Sequence, residues 1–272
     1  MCKTSSISVI LPSYNSEKTI EVCLQSIVNQ NCNLELIFVN DGSSDKSLDL
    51  FKSFKFSSKC SVKVISRENK GFLISLNEGI QLASGDYIAR IDADDIWLEN
   101  HLNLIMAEFD RDKSLVLVGS QAIKINDKSE IVGSYKVPCS QRDIIKHLHK
   151  DSAFIHSSVV FNKKAYQKTQ GYIIGKDITS MHIADYHLWF ELSKLGNIMN
   201  LSRETIYYRV SSQSMSRKIN KLTNYRARFF IMKKVQNYYK KYFFYTFKQN
   251  IKVKLRILQY IFVEKLKLEY IK

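Results

Sequence analysis

Two acidic clusters hold the chemistry most readily read from the chain. Asp92-Ala93-Asp94, with Asp95 beside it, sets two carboxylates one residue apart. Left alone such groups repel, and a hard cation taking oxygen ligands relieves the repulsion. A divalent ion bound by one or two carboxylates keeps open positions that phosphate oxygens fill. The competing explanation is a solvated acidic turn opening the next helix, where Asp is common anyway. The second cluster is Asn40-Asp41-Gly42-Ser43-Ser44-Asp45. Asp41 can accept a hydrogen bond from a uracil or thymine N3–H, and Pro12-Ser13-Tyr14 can supply a flat wall for that base. The alternatives here are a plain turn with an N-cap at Ser44 or Asp45, and ordinary strand-end packing of Tyr14.

The elements that must position these groups alternate along the first 126 residues. Continuous β-prone runs at Ile7–Leu11, Leu34–Val39, Val62–Ile65 and Tyr87–Ile91 predict buried strands. Between them, apolar residues at helical spacing (Ile20, Cys23, Leu24, Ile27; Leu48, Phe51; Leu73, Leu76, Ile80) predict helices, the last stopped at Ser84-Gly85. Leu98, Leu102, Ile105 and Phe109 continue the pattern. Strands separated by helices pair in parallel with cover on both faces. The fold class is therefore α/β, with a Rossmann-like, mostly parallel sheet flanked by helices. Ligands of such sheets sit beyond the carboxyl ends of the strands. Tyr14-Asn15, the Asp41 turn and the Asp92 turn each follow a strand, so all should share one rim. Further on, Val116–Asn126 and Ala153–Phe161 read as strands, Asp185–Leu195 as a helix stopped by Gly196, and Tyr207–Val210 as a short extended piece.

Bulk properties narrow the class. The 272 residues suit one large domain or a domain plus an appendage. Five scattered cysteines without a Cys-x-x-Cys pair argue against a disulfide framework and a structural zinc site. The start resembles no secretory signal, and no apolar run approaches the roughly 18–20 residues that span a bilayer. A cytoplasmic protein is expected. The net charge of +15 is concentrated: residues 217–272 hold 16 Lys and Arg against 2 acids, leaving the body nearly neutral.

Taken together, Pro12-Ser-Tyr14-Asn15, Asn40-Asp41-Gly-Ser-Ser-Asp45, Arg67-Glu-Asn69-Lys-Gly71 and Gly85-Asp-Tyr-Ile-Ala-Arg-Ile-Asp92-Ala-Asp94-Asp95 occur in an order that resembles family 2 glycosyltransferases. The resemblance covers about residues 5–216. It implies a GT-A fold and an inverting, metal-dependent transfer of a hexosyl group from a nucleotide-sugar, a UDP-sugar by the Asp41 contact. The acceptor would be a hydroxyl of a glycan or lipid-linked saccharide in surface polysaccharide synthesis. It implies donor-binding roles for Pro12, Tyr14, Asp41, Arg67, Asp92 and Arg209. It also implies Mn²⁺ or Mg²⁺ at Asp94 with Asp92, Asp95 being less certain as a ligand. Ala184-Asp185-Tyr-His-Leu-Trp189 resembles the family's Glu-Asp-Tyr-x-Leu-Trp stretch, which makes Asp185 the catalytic base. Phe154-Ile-His156-Ser-Ser158 resembles an acceptor-side segment, so His156, Tyr186 and Trp189 are acceptor candidates. For these residues the structural alternatives are a helix N-cap at Asp185, core packing of Trp189 and a packed His156. Two positions depart from the family: Ala184 replaces its usual Glu, and Ser211 stands near a frequent His.

The implied division is a GT-A domain over 1–216, with a nucleotide-sugar half to about 126 and an acceptor half over 127–216, then a basic aromatic helical tail over 217–272. The tail's stripe of Ile251, Leu255, Leu258, Phe262 and Leu266, edged by lysines, is the composition of an interfacial helix. It predicts peripheral attachment to an anionic membrane on the inner face of the cell membrane. The other reading of the tail is a helical pair packed on the body. A different class, a non-catalytic membrane- or nucleic-acid-binding protein retaining the fold, would use the same cations. Nucleic acid is not expected, because no RNA-recognition signature is present and the acidic rim repels phosphate without metal. A nucleotidyltransferase would need a Gly-rich, Arg-containing phosphate loop after its first strand, where Pro12-Ser-Tyr-Asn-Ser16 stands.

Overall fold

The computed structural model describes residues 6–173, 181–211 and 221–239. Its first four strands are β1 (Ile7–Ser13), β2 (Leu34–Asp41), β3 (Cys60–Arg67) and β4 (Tyr87–Arg90), which lie in parallel in the order β3-β2-β1-β4. The crossovers are helices α1 (Ile20–Val28), α2 (Ser47–Ser53) and α3 (Phe72–Leu82). Every residue of β1 and β2 is buried, which explains their unbroken apolar sequences. Side-chain alternation assigns the faces. Val9 and Leu11 pack with α1, α2 and α4 (His101–Arg111), while Ile10 packs with α3 on the other side.

Past β4 the sheet becomes mixed. β8 (Val160–Asn162) runs antiparallel to both β4 and β6 (Leu115–Ile125). β6 then pairs in parallel with β9 (Asn197–Arg209), and β5 (Ile96–Trp97) closes the order antiparallel to β9. β7 (Ile131–Tyr135) folds back on β6 as a hairpin. Helices α5 (Gln141–Leu148), α6 (Lys163–Tyr166) and α7 (Met181–Ser193) cover the α3 side of the sheet, together with α8 (Lys221–Tyr238).

Three elements differ from the sequence expectation, each for a local reason. The expected strand Ala153–Phe161 is a strand only at β8; before it, His156–Ser158 form a 3₁₀ turn that aims Ser157 and Ser158 into the interior. α7 begins at Met181, so Asp185 lies inside the helix and is not its N-cap. β9 begins twelve residues before its Arg209 end, because Asn200 is held in the interior by the carbonyls of Pro138 and Ala153 rather than ending the strand.

Of the tail, α8 is described, and it lies on α7 with Ile231, Met232 and Val235 buried. The Tyr239 hydroxyl donates to the Ser193 carbonyl at 2.8 Å. The stripe from Ile251 to Leu266 lies outside the described residues. Among the described residues no helix is long and apolar enough to cross a membrane.

Candidate active site

The carboxyl ends of β1, β2 and β3 form one side of the cleft. Asn15 adopts a left-handed backbone (φ 51°), which lets its side chain accept from the Ser44 amide at 2.8 Å while its own amide donates to Ser43 Oγ at 3.1 Å. Asp45 accepts from the Glu17 amide at 3.0 Å and from the Ser47 amide at 3.0 Å, so it ties the first loop to the start of α2. Burial opposes the Asp45 charge, but these donors outweigh it and lower its pKa. Asp41 is only 4% exposed, and it orders the loop after β3. Its carboxylate pairs with Arg67 and accepts the Lys70 and Gly71 amides at 2.8 and 3.0 Å. Arg67 is held in turn by Glu78 at 2.7 Å. With one amide on Oδ2, Asp41 keeps acceptor capacity for a further N–H. Pro12 is buried, and Tyr14 projects outward with 53% of its surface exposed.

The turn after β4 forms the floor. Arg90, fully buried in a strand, forms a two-pronged pair with Asp92, its Nη1 lying 2.8 Å from Oδ2. Ser157 Oγ accepts from Arg90 Nη1 and from the Asp92 amide, both at 3.1 Å. Carboxylate oxygens of Asp92, Asp94 and Asp95 all lie within 4.8 Å of one another. Burial, and then the Asp92 charge, push the Asp94 pKa up to about 6. Burial with both neighbouring carboxylates pushes Asp95 well above its ordinary range. Asp95 Oδ1 accepts the Arg209 amide at 2.7 Å, whereas its buried Oδ2 has no hydrogen-bond partner among the described residues. An all-oxygen donor set with an orphaned buried carboxylate oxygen fits a hard divalent cation.

Arg209 is tied into the frame. Its guanidinium donates to the Asp94 carbonyl (2.9 Å), the Asn126 carbonyl (2.7 Å) and Ser129 Oγ, so it fastens the acidic turn to the β6–β7 hairpin.

Asp185 lies on α7. It is 7% exposed, and burial pushes its pKa up to about 8. The Tyr186 amide and Arg90 oppose the shift, while Asp151 and Asp92 reinforce it. These mutual effects put Asp185 in one electrostatic neighbourhood with the Arg90–Asp92 pair. His156 contacts the Tyr172 hydroxyl at 2.8 Å and packs edge-on against Trp189 at 5.7 Å. Tyr186 and Trp189, the other two acceptor candidates, lie in the interior behind it: both are fully buried, the Tyr186 hydroxyl donates to the Leu148 carbonyl, and the Trp189 ring packs between Phe154, Phe161 and His156.

Two residues escaped the sequence reading. Arg90 was visible as a lone cation in a buried strand two residues before an acidic pair. Ser157 left no signal, because only the 3₁₀ turn brings it to Arg90 and Asp92.

Structural likeness agrees with this geometry. Residues 1–349 of S. aureus TarS in complex with UDP-GlcNAc match with a TM-score of 0.66 at 20% identity, covering 83% of this chain and 65% of that one. The mannosyltransferase PcManGT from Pyrobaculum calidifontis in complex with GDP-Man and Mn²⁺ matches at 0.63 and 16% identity, covering 84% and 64%. The chain thus spans a little under two thirds of either structure, and the likeness is one of fold. That fold is GT-A, and the class is glycosyltransferase. In sequence, the UDP-Glc:alpha-D-GlcNAc-diphosphoundecaprenol beta-1,3-glucosyltransferase WfgD of Escherichia coli is 31% identical over 214 residues, 77% of this chain and 79% of that protein. Residues 8–170 match Glycosyl transferase family 2, and the chain belongs to that family.

Proposed function

We propose that the chain is an inverting, metal-dependent glycosyltransferase that moves a sugar from a UDP-sugar to a hydroxyl of a glycan or lipid-linked saccharide during surface polysaccharide synthesis. The observation that carries this reading is that Asp92, Asp94 and Asp95 bring carboxylate oxygens within 4.8 Å of one another on the same rim of the parallel sheet as Asp41. Residues to about 126 hold the donor in this reading, and 127–216 present the acceptor. The WfgD likeness, to an enzyme named for a diphosphoundecaprenol acceptor, supports a lipid-linked one. The basic tail over 217–272 would keep the enzyme on the inner face of the membrane by its charge.

The residues then divide the work. Asp41 accepts the base N3–H, Tyr14 covers the base, and Arg67 keeps Asp41 in place. Asp185 Oδ1 is engaged by the Tyr186 amide at 2.5 Å, which leaves Oδ2 to take the proton of the acceptor hydroxyl. As that oxygen bonds to the anomeric carbon from the opposite face, the bond to the diphosphate breaks and the proton stays on Asp185. A general base contributes typically about 10²- to 10⁴-fold. Mn²⁺ or Mg²⁺ held by Asp94 and Asp92, with Asp95 Oδ2 behind, would offset charge on the departing diphosphate.

The test is a panel of UDP-sugars assayed for UDP release with Mn²⁺ or Mg²⁺, in wild type and Asp185→Asn. We expect release from at least one donor, with transfer lost and UDP binding kept in the variant. Absence of release from every donor with either metal rejects the reading.

A further inference from the structure

Stability alone does not account for Arg90. Its side chain is buried in β4, where Nη1 and Nη2 grip the two oxygens of Asp92. Its Nε has no hydrogen-bond partner among the described residues. Taking a guanidinium out of water carries a large penalty, and apolar residues of similar volume often serve an interior as well as a buried ion pair does. A cation kept there with one donor idle points to a role in the geometry of its partner.

The surrounding contacts fix that geometry from several sides. The guanidinium carbon lies 5.1 Å over the Phe72 ring, whose own edge meets His156 at 6.1 Å. Ser157, fully buried, sits in the 3₁₀ turn His156–Ser158. A hydroxyl has one proton and two lone pairs, and here all three are used on one pair of residues. Oγ accepts from Arg90 Nη1 and from the Asp92 amide, both at 3.1 Å, and donates to Asp92 Oδ2 at 3.3 Å. The Ser157 carbonyl accepts from Trp97 Nε1 at 2.8 Å, which steadies the turn. A two-pronged guanidinium sets the plane of a carboxylate as well as its place. Asp92 keeps 30% of its side chain exposed, so the lone pairs it shows to solvent are aimed by two residues buried behind it.

Resting on the metal-dependent transfer proposed above, we propose that Arg90 and Ser157 are positioning residues, which hold Asp92 and with it the acidic turn in the geometry that takes the divalent cation. Neither needs to touch donor or acceptor. Arg90 supplies charge and geometry together, whereas Ser157 supplies geometry alone, and that difference makes the role separable from simple charge balance.

The experiment measures UDP binding to the full chain by calorimetry across a series of Mn²⁺ concentrations, and again in chelator. Ser157→Ala, which removes the shared hydroxyl but no charge, should raise the half-saturating Mn²⁺ concentration about tenfold. Arg90→Lys keeps the charge but loses the fork, and should raise it at least as much. UDP affinity in chelator should stay within about twofold in both variants, because no contact of Asp41 is altered. In transfer assays the UDP-sugar KM at low Mn²⁺ should rise, while saturating Mn²⁺ brings kcat back to within about threefold. A general loosening of the fold would not give that split. Unchanged Mn²⁺ dependence in either variant overturns the positioning role, and so does a parallel loss of UDP affinity in chelator. If wild type binds UDP no better with Mn²⁺ than in chelator, the metal-dependent reading fails and this role with it.

Discussion

Arg90 and Asp92 form a pair of unequal burial: the guanidinium is 1% exposed and the carboxylate 30%. Removing either side chain breaks the same contact but strands a different charge. Asp92→Ala leaves a cation in the interior with Ser157 Oγ and the face of Phe72 beside it but no anion paired to it, and we expect a loss of about 3 kcal/mol. Arg90→Met leaves the anion where water can reach it, and we expect about 1 kcal/mol. Urea unfolding at pH 7 in a chelator measures both. Equal losses would show that burial does not set the cost.

Asp185 makes the protein's pH response distinctive. An acid raised from 3.8 to about 8 on folding holds a proton that the unfolded chain releases. Its contribution is neutral below the unfolded value and becomes a growing penalty as pH rises to about 8, then levels. Asp185→Asn should flatten that part of the stability profile, read from urea midpoints between about pH 5 and 9. Transfer, which needs the ionised base, should climb about tenfold per pH unit below that pKa. A rate flat over the same range would remove Asp185 as the base.

The first half of the fold was legible because its strands are buried on both faces. Runs such as Ile7–Leu11 and Leu34–Val39 leave no other reading, and the polar turns after them fall on one rim by topology. The second half was less so. β9 contains Asn200, Ser202, Arg203 and Glu204, whose polarity hides a strand that borders the sheet's far side. α5 is eight residues with Lys146 and His147 in its last turn, too short for a clear stripe. At the site, residues acting through their own turn (Asp41, Asp92, Asp94) could be found from local sequence. Ser157 could not, since its meaning comes only from contacts across the fold.

Gly42 is held by two constraints. Its φ is +72°, and a Cβ there would lie 2.6 Å from the Asn69 amide nitrogen, in backbone that Asp41 fixes. Gly42→Ala should cost about 1–2 kcal/mol from the left-handed conformation alone. It should also displace the 67–71 loop and weaken UDP binding on the order of tenfold. Calorimetry with UDP, alongside a melting curve, separates the two effects. An alanine variant with native affinity would mean that the loop does not position the base.

The acidic turn should exchange protons for metal. Burial and mutual repulsion keep Asp94 near a pKa of about 6 and push Asp95 up as well, so cation binding must displace protons. Mn²⁺ titrations in buffers of different ionisation enthalpy should show more proton release at pH 6 than at pH 8. Asp94→Asn should weaken Mn²⁺ binding and make UDP affinity insensitive to chelator. Proton release that does not change with pH would place the ion elsewhere.

The tail's first helix should behave as core. Ile231, Met232 and Val235 have no exposed surface, and Tyr239 donates to both the carbonyl and Oγ of Ser193 at 2.8 and 2.9 Å. Ile231→Ala should therefore lower stability by about 3 kcal/mol through the cavity it leaves. Tyr239→Phe should cost about 1 kcal/mol for its lost hydrogen bonds. A helix held mainly by a lipid surface would answer differently: the same changes would weaken binding to anionic vesicles and leave the unfolding midpoint in solution alone. We expect the midpoint to move, because the groups that α8 buries are matched by side chains of α7.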